Sequence, residues 1–209
     1  MFGLIFRGIS SMSLDRPHTE VLRNVNPSLL FLKRWLANPL VMGSITPSSP
    51  SLARVIARNL VRDDDEAIVE FGGGTGSITE GLLKSGVPAS RLFSVEVDAK
   101  LAEYLRSEFP DIHVLEGDVR NITQMLPPAM VGKVGTVVVG IPMVLLPWEA
   151  QQEIVEAIFS IMPQGRYFLA YTYAFGAPIK YAKLGLTARR VGFTPLNIPP
   201  ASVWAFAKR

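Results

Sequence analysis

Glu70-Phe-Gly-Gly-Gly-Thr-Gly76 decides how this 209-residue chain reads. The stretch follows a short aliphatic run, Ala67-Ile-Val69, and leads straight into a segment of helical character from Ser77. Glycines at 72, 74 and 76 let the backbone turn sharply and approach a ligand with no Cβ in the way. The spacing excludes two common phosphate-binding loops. A dinucleotide loop, G-x-G-x-x-G, needs glycine where Ser77 stands, and counting from Gly73 puts Thr75 at the second glycine. A P-loop needs Lys before a Ser or Thr, and no Lys follows. A loop flanked by carboxylates and free of Lys suits a cationic ligand rather than a pyrophosphate.

Outward from this loop, aliphatic and β-branched runs alternate with helical stretches, the signature of a mostly parallel sheet covered by helices. The pattern predicts strands over 67–71, 91–97, 112–116, 134–139 and 166–173. Helices are expected over 77–85, over 98–109 with Asp98 as cap, and over 148–162, with a further helix over 51–60 ahead of the first strand. The tail breaks the rhythm. Strand-like runs at 187–193 and 202–208, joined through Asn197-Ile-Pro-Pro200, read as an antiparallel pair closing the sheet. The layout resembles the class I S-adenosyl-L-methionine (SAM) methyltransferases. It implies an α/β, Rossmann-like fold with a mostly parallel seven-stranded sheet, a C-terminal antiparallel hairpin and an N-terminal helical extension. Residues 1–50 form the extension in this reading, and 51–209 the methyltransferase domain.

The glycine loop itself resembles motif I of those enzymes, D/E-x-G-x-G-x-G, with Glu70 as its acid. Two more acids arrive where the resemblance needs them. Glu96, in Ser94-Val-Glu-Val-Asp98, ends the second strand, where a carboxylate can accept both ribose hydroxyls. Asp118, in Glu116-Gly-Asp-Val119, follows the third strand and can accept from the adenine amine. The resemblance implies a cofactor site of Glu70, Gly72, Gly74, Thr75 and Gly76, with Glu96 and Val97, then Gly117, Asp118 and Val119, and then Gly140, Ile141 and Pro142. In amino-group methyltransferases acting on planar amines the fourth strand ends in Asn/Asp-Pro-Pro-Tyr or Asn-Leu-Pro-Tyr. Here Gly140-Ile-Pro-Met143 stands instead, without the polar side chain or the ring. That argues against a nucleobase acceptor.

Composition narrows the chemistry further. Hydrophobic residues make up 48% of the chain, enough for a buried core without covalent staples. The absence of cysteine excludes disulfides, thiolate nucleophiles and Cys-ligated metal. His18 and His113 stand far apart, with no paired-His spacing, so no metal is expected. The formal charge of +3 hides a separation: residues 1–62 hold eight bases and two acids, 63–165 six bases and sixteen acids, and 166–209 seven bases and no acid. Basic ends around an acidic middle suggest a polyanionic partner, either nucleic acid or an anionic membrane. The apolar opening of the chain is too short for a signal peptide, and no run approaches the roughly 18 apolar residues of a spanning helix. The expectation is a cytoplasmic protein, soluble or peripheral. Over 26–40, Leu29, Phe31, Leu32, Trp35 and Leu36 share one helical arc, opposite Lys33 and Arg34. Such a stripe serves either as an interfacial helix in lipid headgroups or as one packed on its own domain.

Several blocks are more specific than motif I. They are Phe31-Leu-Lys-Arg-Trp-Leu-Ala-Asn-Pro39, Gly43-Ser-Ile-Thr-Pro-Ser-Ser49, Gly140-Ile-Pro-Met-Val-Leu-Leu-Pro147, Thr172-Tyr173 and Asn197-Ile-Pro-Pro-Ala-Ser-Val-Trp204. With motif I, they make the chain resemble the peripheral bacterial phospholipid N-methyltransferases from about Phe31 to Arg209. Members commonly read Glu-Leu-Gly-Pro-Gly at motif I and Tyr-Gly-Pro after the fifth strand, where this chain has Phe71-Gly-Gly-Gly74 and Tyr173-Ala-Phe-Gly-Ala-Pro178. The resemblance implies methylation of the phosphatidylethanolamine headgroup to its mono-, di- and trimethylated forms, with S-adenosyl-L-homocysteine as by-product. It also implies a monomer held peripherally on the inner face of the cell membrane by an interfacial N-terminal helix carrying Trp35, with phospholipid as substrate and no nucleic acid as partner. Gly43, Ser44, Thr46 and Ser48 join the SAM pocket in this reading. Tyr173, with Tyr171 second, orients the amine or relays its proton. Lys180, Arg189 and Arg190, with Lys183, meet the lipid phosphate or the anionic surface. Three alternatives stand beside this one: an RNA adenine N6-methyltransferase, an ornithine-lipid N-methyltransferase, and a SAM-binding regulator without turnover.

Overall fold

The computed structural model describes residues 50–195, 197 and 199–209. The amphipathic segment, Trp35 and the Gly43 to Ser48 block lie outside the described residues.

Helix α1 (Pro50–Arg58) precedes an alternating series: β1 (Ala67–Phe71), α2 (Ser77–Lys84), β2 (Leu92–Glu96), α3 (Ala99–Glu108), β3 (His113–Glu116), the one-turn α4 (Ile122–Met125), β4 (Val134–Val139), α5 (Trp148–Ser160) and β5 (Phe168–Thr172). β6 (Leu186–Thr194) and β7 (Ala201–Lys208) close the chain. The seven strands form one sheet in the order β3-β2-β1-β4-β5-β7-β6, parallel except for β7, which runs antiparallel to both neighbours. This is the expected seven-stranded sheet. The order of the hairpin is new: β7, the last strand, inserts between β5 and β6, which makes β6 the edge.

Burial explains why the inner strands read as continuous aliphatic runs. Every residue of β1, β2 and β4 is buried, because helices cover both faces of a parallel sheet. Alternate positions then serve two cores. Val69, Phe71, Val137, Val139, Phe168 and Phe206 face α4 and α5, whereas Ile68, Leu92, Val138, Leu169 and Val203 face α1 and α2. Two glycines admit α1 to its place. A Cβ at Gly81 of α2 would lie 2.1 Å from the Ala53 Cβ, and one at Gly192 of β6 would lie 2.2 Å from Val55 Cγ1. At the edge where the parallel strands begin, Arg166 bridges Glu66 (2.6 Å) and Asp63 (2.7 Å), tying the entry of β5 to that of β1. Asp98 caps α3 as expected, accepting from the amides of Lys100 (2.9 Å) and Leu101 (3.1 Å).

Phe168 is fully buried, stacked on Phe206 with ring centroids 5.1 Å apart and edge-on to Phe159 at 5.7 Å. Phe168→Ala removes the ring and leaves a cavity, so urea denaturation should show stability lowered by about 3–5 kcal/mol.

Candidate cofactor and active site

Strand order reverses between β1 and β4, the topological switch point where open α/β sheets bind ligands. The glycine loop leaves β1 there, beside the end of β4. Gly72, Gly74 and Gly76 have φ of 84°, 55° and 77°, a left-handed backbone that other residues resist. The glycines of the loop differ in what surrounds them. A Cβ at Gly73 would meet Ser94 Oγ at 2.2 Å, and one at Gly76 would meet the Phe109 ring at 2.3 Å, whereas one at Gly74 would meet nothing within 4 Å. The loop therefore rests on the protein at 73 and 76 and faces open space at 74. Across the crevice, the Gly140 amide donates to the Phe71 carbonyl at 2.8 Å. A Cβ at Gly140 would lie 2.8 Å from the Gly72 carbonyl oxygen and 3.2 Å from the Tyr171 hydroxyl. Position 140 thus has no room for the Asn or Asp of planar-amine enzymes.

The three expected acids meet different fates. Glu96 is buried at the end of β2, where its carboxylate accepts from three amides: Gly74 at 2.9 Å through Oε2, and Val97 (2.8 Å) and Asp98 (3.0 Å) through Oε1. The side chain ties the glycine loop to the β2 turn. About one of its four acceptor sites stays open, so accepting two ribose hydroxyls requires one amide to yield. Glu70 alternates to the α2 side of β1 and is buried beneath the loop. Its carboxylate accepts from the hydroxyls of Thr79 and, at 3.1 Å, Ser94. Burial pushes this carboxyl from the ordinary 4.5 up to about 7, with the Thr79 and Ser94 hydrogen bonds opposing the rise and the Glu96 charge adding to it. Asp118 sits in the fork of Arg120, which also reaches Glu153 at 2.7 Å. Burial alone raises the Asp118 carboxyl, but the Arg120 guanidinium and amide outweigh it and hold the group below the usual carboxylate range.

Val97 follows β2, Val119 is buried in the core after β3, Gly117 precedes Asp118, and Ile141 lies against Gly72. Thr75 is exposed on the loop, and Pro142 opens the turn after β4. Tyr171 and Tyr173 share a face of β5 and its exit, ring edge to ring face at 6.1 Å. Of the two, Tyr171 reaches the β1/β4 crevice. The cations expected to meet the lipid phosphate or the anionic surface stand on two elements. Lys180 flanks a 3-10 turn, while Arg189 and Arg190, consecutive on β6, project to opposite faces of the edge strand. Sequence reading missed Arg120, Glu153, Thr79 and Ser94. Thr79, in the first turn of α2, carried a signal, as a hydroxyl on an otherwise apolar buried face.

The residues present fit SAM: a crevice floored by bare glycine backbone, two buried carboxylates beside it, and no Lys in the loop. Among the described residues, no group of three or more His, Cys, Asp or Glu is arranged to hold a metal ion. His113 instead stacks on Phe93 at 4.4 Å.

Comparison with known proteins follows the same line. No family model matches the chain. An ornithine lipid N-methyltransferase from Singulisphaera acidiphila is 29% identical over 178 residues, covering 84% of this chain and 93% of that protein. A ribosomal RNA small subunit methyltransferase A from Chlorobium chlorochromatii is 40% identical over 58 residues, which is 28% of this chain and 21% of that protein. Among solved structures, a TehB-like SAM-dependent methyltransferase from Corynebacterium glutamicum superposes with a TM-score of 0.55 at 18% identity, covering 87% of this chain and 98% of that one. The fold is that of the class I SAM-dependent methyltransferases, and SAM is the cofactor its crevice fits.

Because Glu70 keeps its proton to about pH 7 in the folded chain but only to about 4.5 when unfolded, its contribution to stability is full below pH 4.5. It falls as pH rises from about 4.5 to 7, by roughly 1.4 kcal/mol per pH unit at most, and is level above that. Denaturation of Glu70→Gln against the parent across that range should show the variant gaining relative stability within this window and no further change at higher pH.

Proposed function

We propose that this chain is a SAM-dependent N-methyltransferase acting on the amine of a lipid headgroup at an anionic membrane surface. The observation that carries the reading is Gly140. Its close approach to Gly72 leaves no side chain to grip a planar base edge, and the apolar surroundings suit a tetrahedral aliphatic amine. A likeness to a lipid N-methyltransferase over 84% of this chain supports it; ribosomal RNA enzymes, by contrast, are matched over about a quarter to a half of this chain. For the headgroup, two readings have separate support. Phosphatidylethanolamine rests on the sequence blocks described above, and ornithine lipid on the name of the relative matched over 93% of its length.

SAM supplies a methyl group on a sulfonium, an electrophile that needs alignment more than activation. The glycine loop and Glu96 would hold it, with Gly140 and Ile141 forming the opposite wall and Asp118, oriented by Arg120, at the adenine end. The lipid ammonium, with a pKa near that of Lys at roughly 10, must lose a proton before it can attack; desolvation in the crevice favours the neutral amine. Tyr171 orients that amine through its hydroxyl. Tyr173, edge-on to it, walls the amine pocket and attracts the methylated cations through its ring. Lys180 and Lys183 meet the lipid phosphate; Arg189 and Arg190, on opposite faces of the edge strand, add attraction to the membrane at longer range.

The deciding experiment offers methyl-labelled SAM with vesicles of phosphatidylethanolamine, vesicles of ornithine lipid, or RNA, and chromatographs the products. Label is expected in an aminolipid. Label confined to RNA would establish the adenine reading, and none in any acceptor the regulator. In the lipid assay, Tyr171→Phe should cut turnover at least tenfold with SAM affinity unchanged, and Tyr173→Phe, which keeps the ring, should cost threefold or less, as expected for one positioned hydrogen bond against none. Equal losses would remove the distinction between them.

A further inference from the structure

The edge of the sheet that bears the cofactor crevice also bears three of the exposed large apolar side chains among the described residues. Beyond β4, a 3-10 turn over Met143–Leu145 buries Met143 and Leu146 in the core while leaving Val144 and Leu145 49% and 42% exposed. Beyond β5, Thr172 accepts from the Ala174 amide at 3.0 Å, and the chain then carries Phe175 fully into solvent, at 105% exposure, before Ile179 returns to the core. β4 and β5 are parallel neighbours, so both loops emerge on the same edge. Ala177 and Ile179 enter the same core cluster as Met143 and Leu146, so the two loops share one footing. Single exposed apolar residues are ordinary on a protein surface. A fully exposed phenylalanine on an anchored loop, beside two exposed aliphatics at the entrance to a site, is an interaction surface.

Charge selects its partner. From Phe175 the chain runs past exposed Lys180 and Lys183, and residues 166–209 contain no acid. On the facing side, Glu153 is paired with Arg120, which leaves Glu149 as the exposed carboxylate of the first turn of α5. Apolar tips backed by lysines match the apolar interior and anionic headgroups of a phospholipid bilayer. We infer that Val144, Leu145 and Phe175 insert into an anionic bilayer, seating the crevice against it so that a lipid amine reaches Tyr171 without leaving the membrane. This rests on the lipid reading above. It assigns membrane contact to the rim of the site itself, in addition to the N-terminal segment.

The chain's lack of cysteine makes the test clean. Phe175→Cys, Val144→Cys and, as control on the far end of β6, the exposed Thr187→Cys each carry one environment-sensitive fluorophore. With anionic vesicles, the probes at 175 and 144 should brighten and be quenched by spin-labelled acyl chains, and the probe at 187 should not respond. Separately, Phe175→Asp with Leu145→Asp should sediment with vesicles at least about tenfold less well, a loss in line with two buried apolar side chains. SAM affinity, and turnover of aminolipid dispersed in detergent micelles, should remain within twofold of the parent. A silent probe at 175, or parent-like sedimentation of the double variant, overturns the inference. So does a response to raised protein concentration without vesicles, which would make the occupant a second copy of the chain. Micellar turnover keeps the two proposals apart. If the parent methylates micellar aminolipid and the probes stay silent, the rim inference alone fails; if the probes respond and no aminolipid is methylated, the substrate reading alone fails.

Discussion

The contact between two bare stretches of backbone, Gly72 at the exit of β1 and Gly140 at the exit of β4, is the constraint around which the site is arranged. Hydrogen bonding of the Gly140 amide to Phe71 draws the two exits together at the switch point, and the resulting gap excludes a Cβ from position 140. Any side chain that handles the acceptor must therefore come from elsewhere. In the proposed reading the next strand supplies it: Tyr171 of β5 brings a hydroxyl to within 3.2 Å of where a Cβ at 140 would stand. In planar-amine enzymes the polar group rises from the fourth strand itself.

The buried carboxylates divide between them the work of shaping the glycine loop. Glu96 grips it from the side through the Gly74 amide, and Glu70 supports it from below through Ser94 and Thr79, the former being the residue on which Gly73 rests. Glu96 accepts from three amides, whereas Glu70 has two hydroxyls and a like charge nearby, so burial dominates and lifts its pKa to about 7. Near neutral pH the Glu70 carboxyl therefore carries only part of its charge.

Most of the fold was legible in the sequence because parallel strands buried on both faces leave uninterrupted aliphatic runs. The runs at 67–71 and 134–139 match β1 and β4 residue for residue. The insertion of β7 between β5 and β6 was not legible, since strand order depends on which edge the chain returns to and leaves no local pattern. Composition made Lys180, Arg189 and Arg190 look like one group, yet the two-residue period of a strand sends Arg189 and Arg190 apart. Asp118 read as a free acceptor. Its partner Arg120, two residues on, is visible in the sequence, but the turn that folds the guanidinium back onto it is a tertiary outcome fixed also by Glu153 of α5.

The charge separation along the chain acquires a physical meaning once the ion pairs are placed. Much of the acidic middle is matched internally. Asp63 and Glu66 are held by Arg166, Asp65 by Lys133, Glu80 by Lys84, Glu116 by Arg106, and Asp118 and Glu153 by Arg120. Pairs at the surface contribute little to stability, about 0–1 kcal/mol each, but they cancel one another's field beyond a few ångströms. The basic end is different. Among the described residues, Lys180, Lys183, Arg189 and Arg190 form no ion pair, and Lys183 lies instead over the Trp148 ring at 6.0 Å. Their charge is not spent within the fold. It remains available to an external polyanion, and Lys180 and Lys183 follow the loop that carries Phe175 in the chain. A nucleic acid would meet those lysines and stack a base on the phenylalanine, but would have no use for a bare valine and leucine standing in water beside the site. A bilayer uses both, because it offers phosphate and hydrocarbon within one side-chain length of each other.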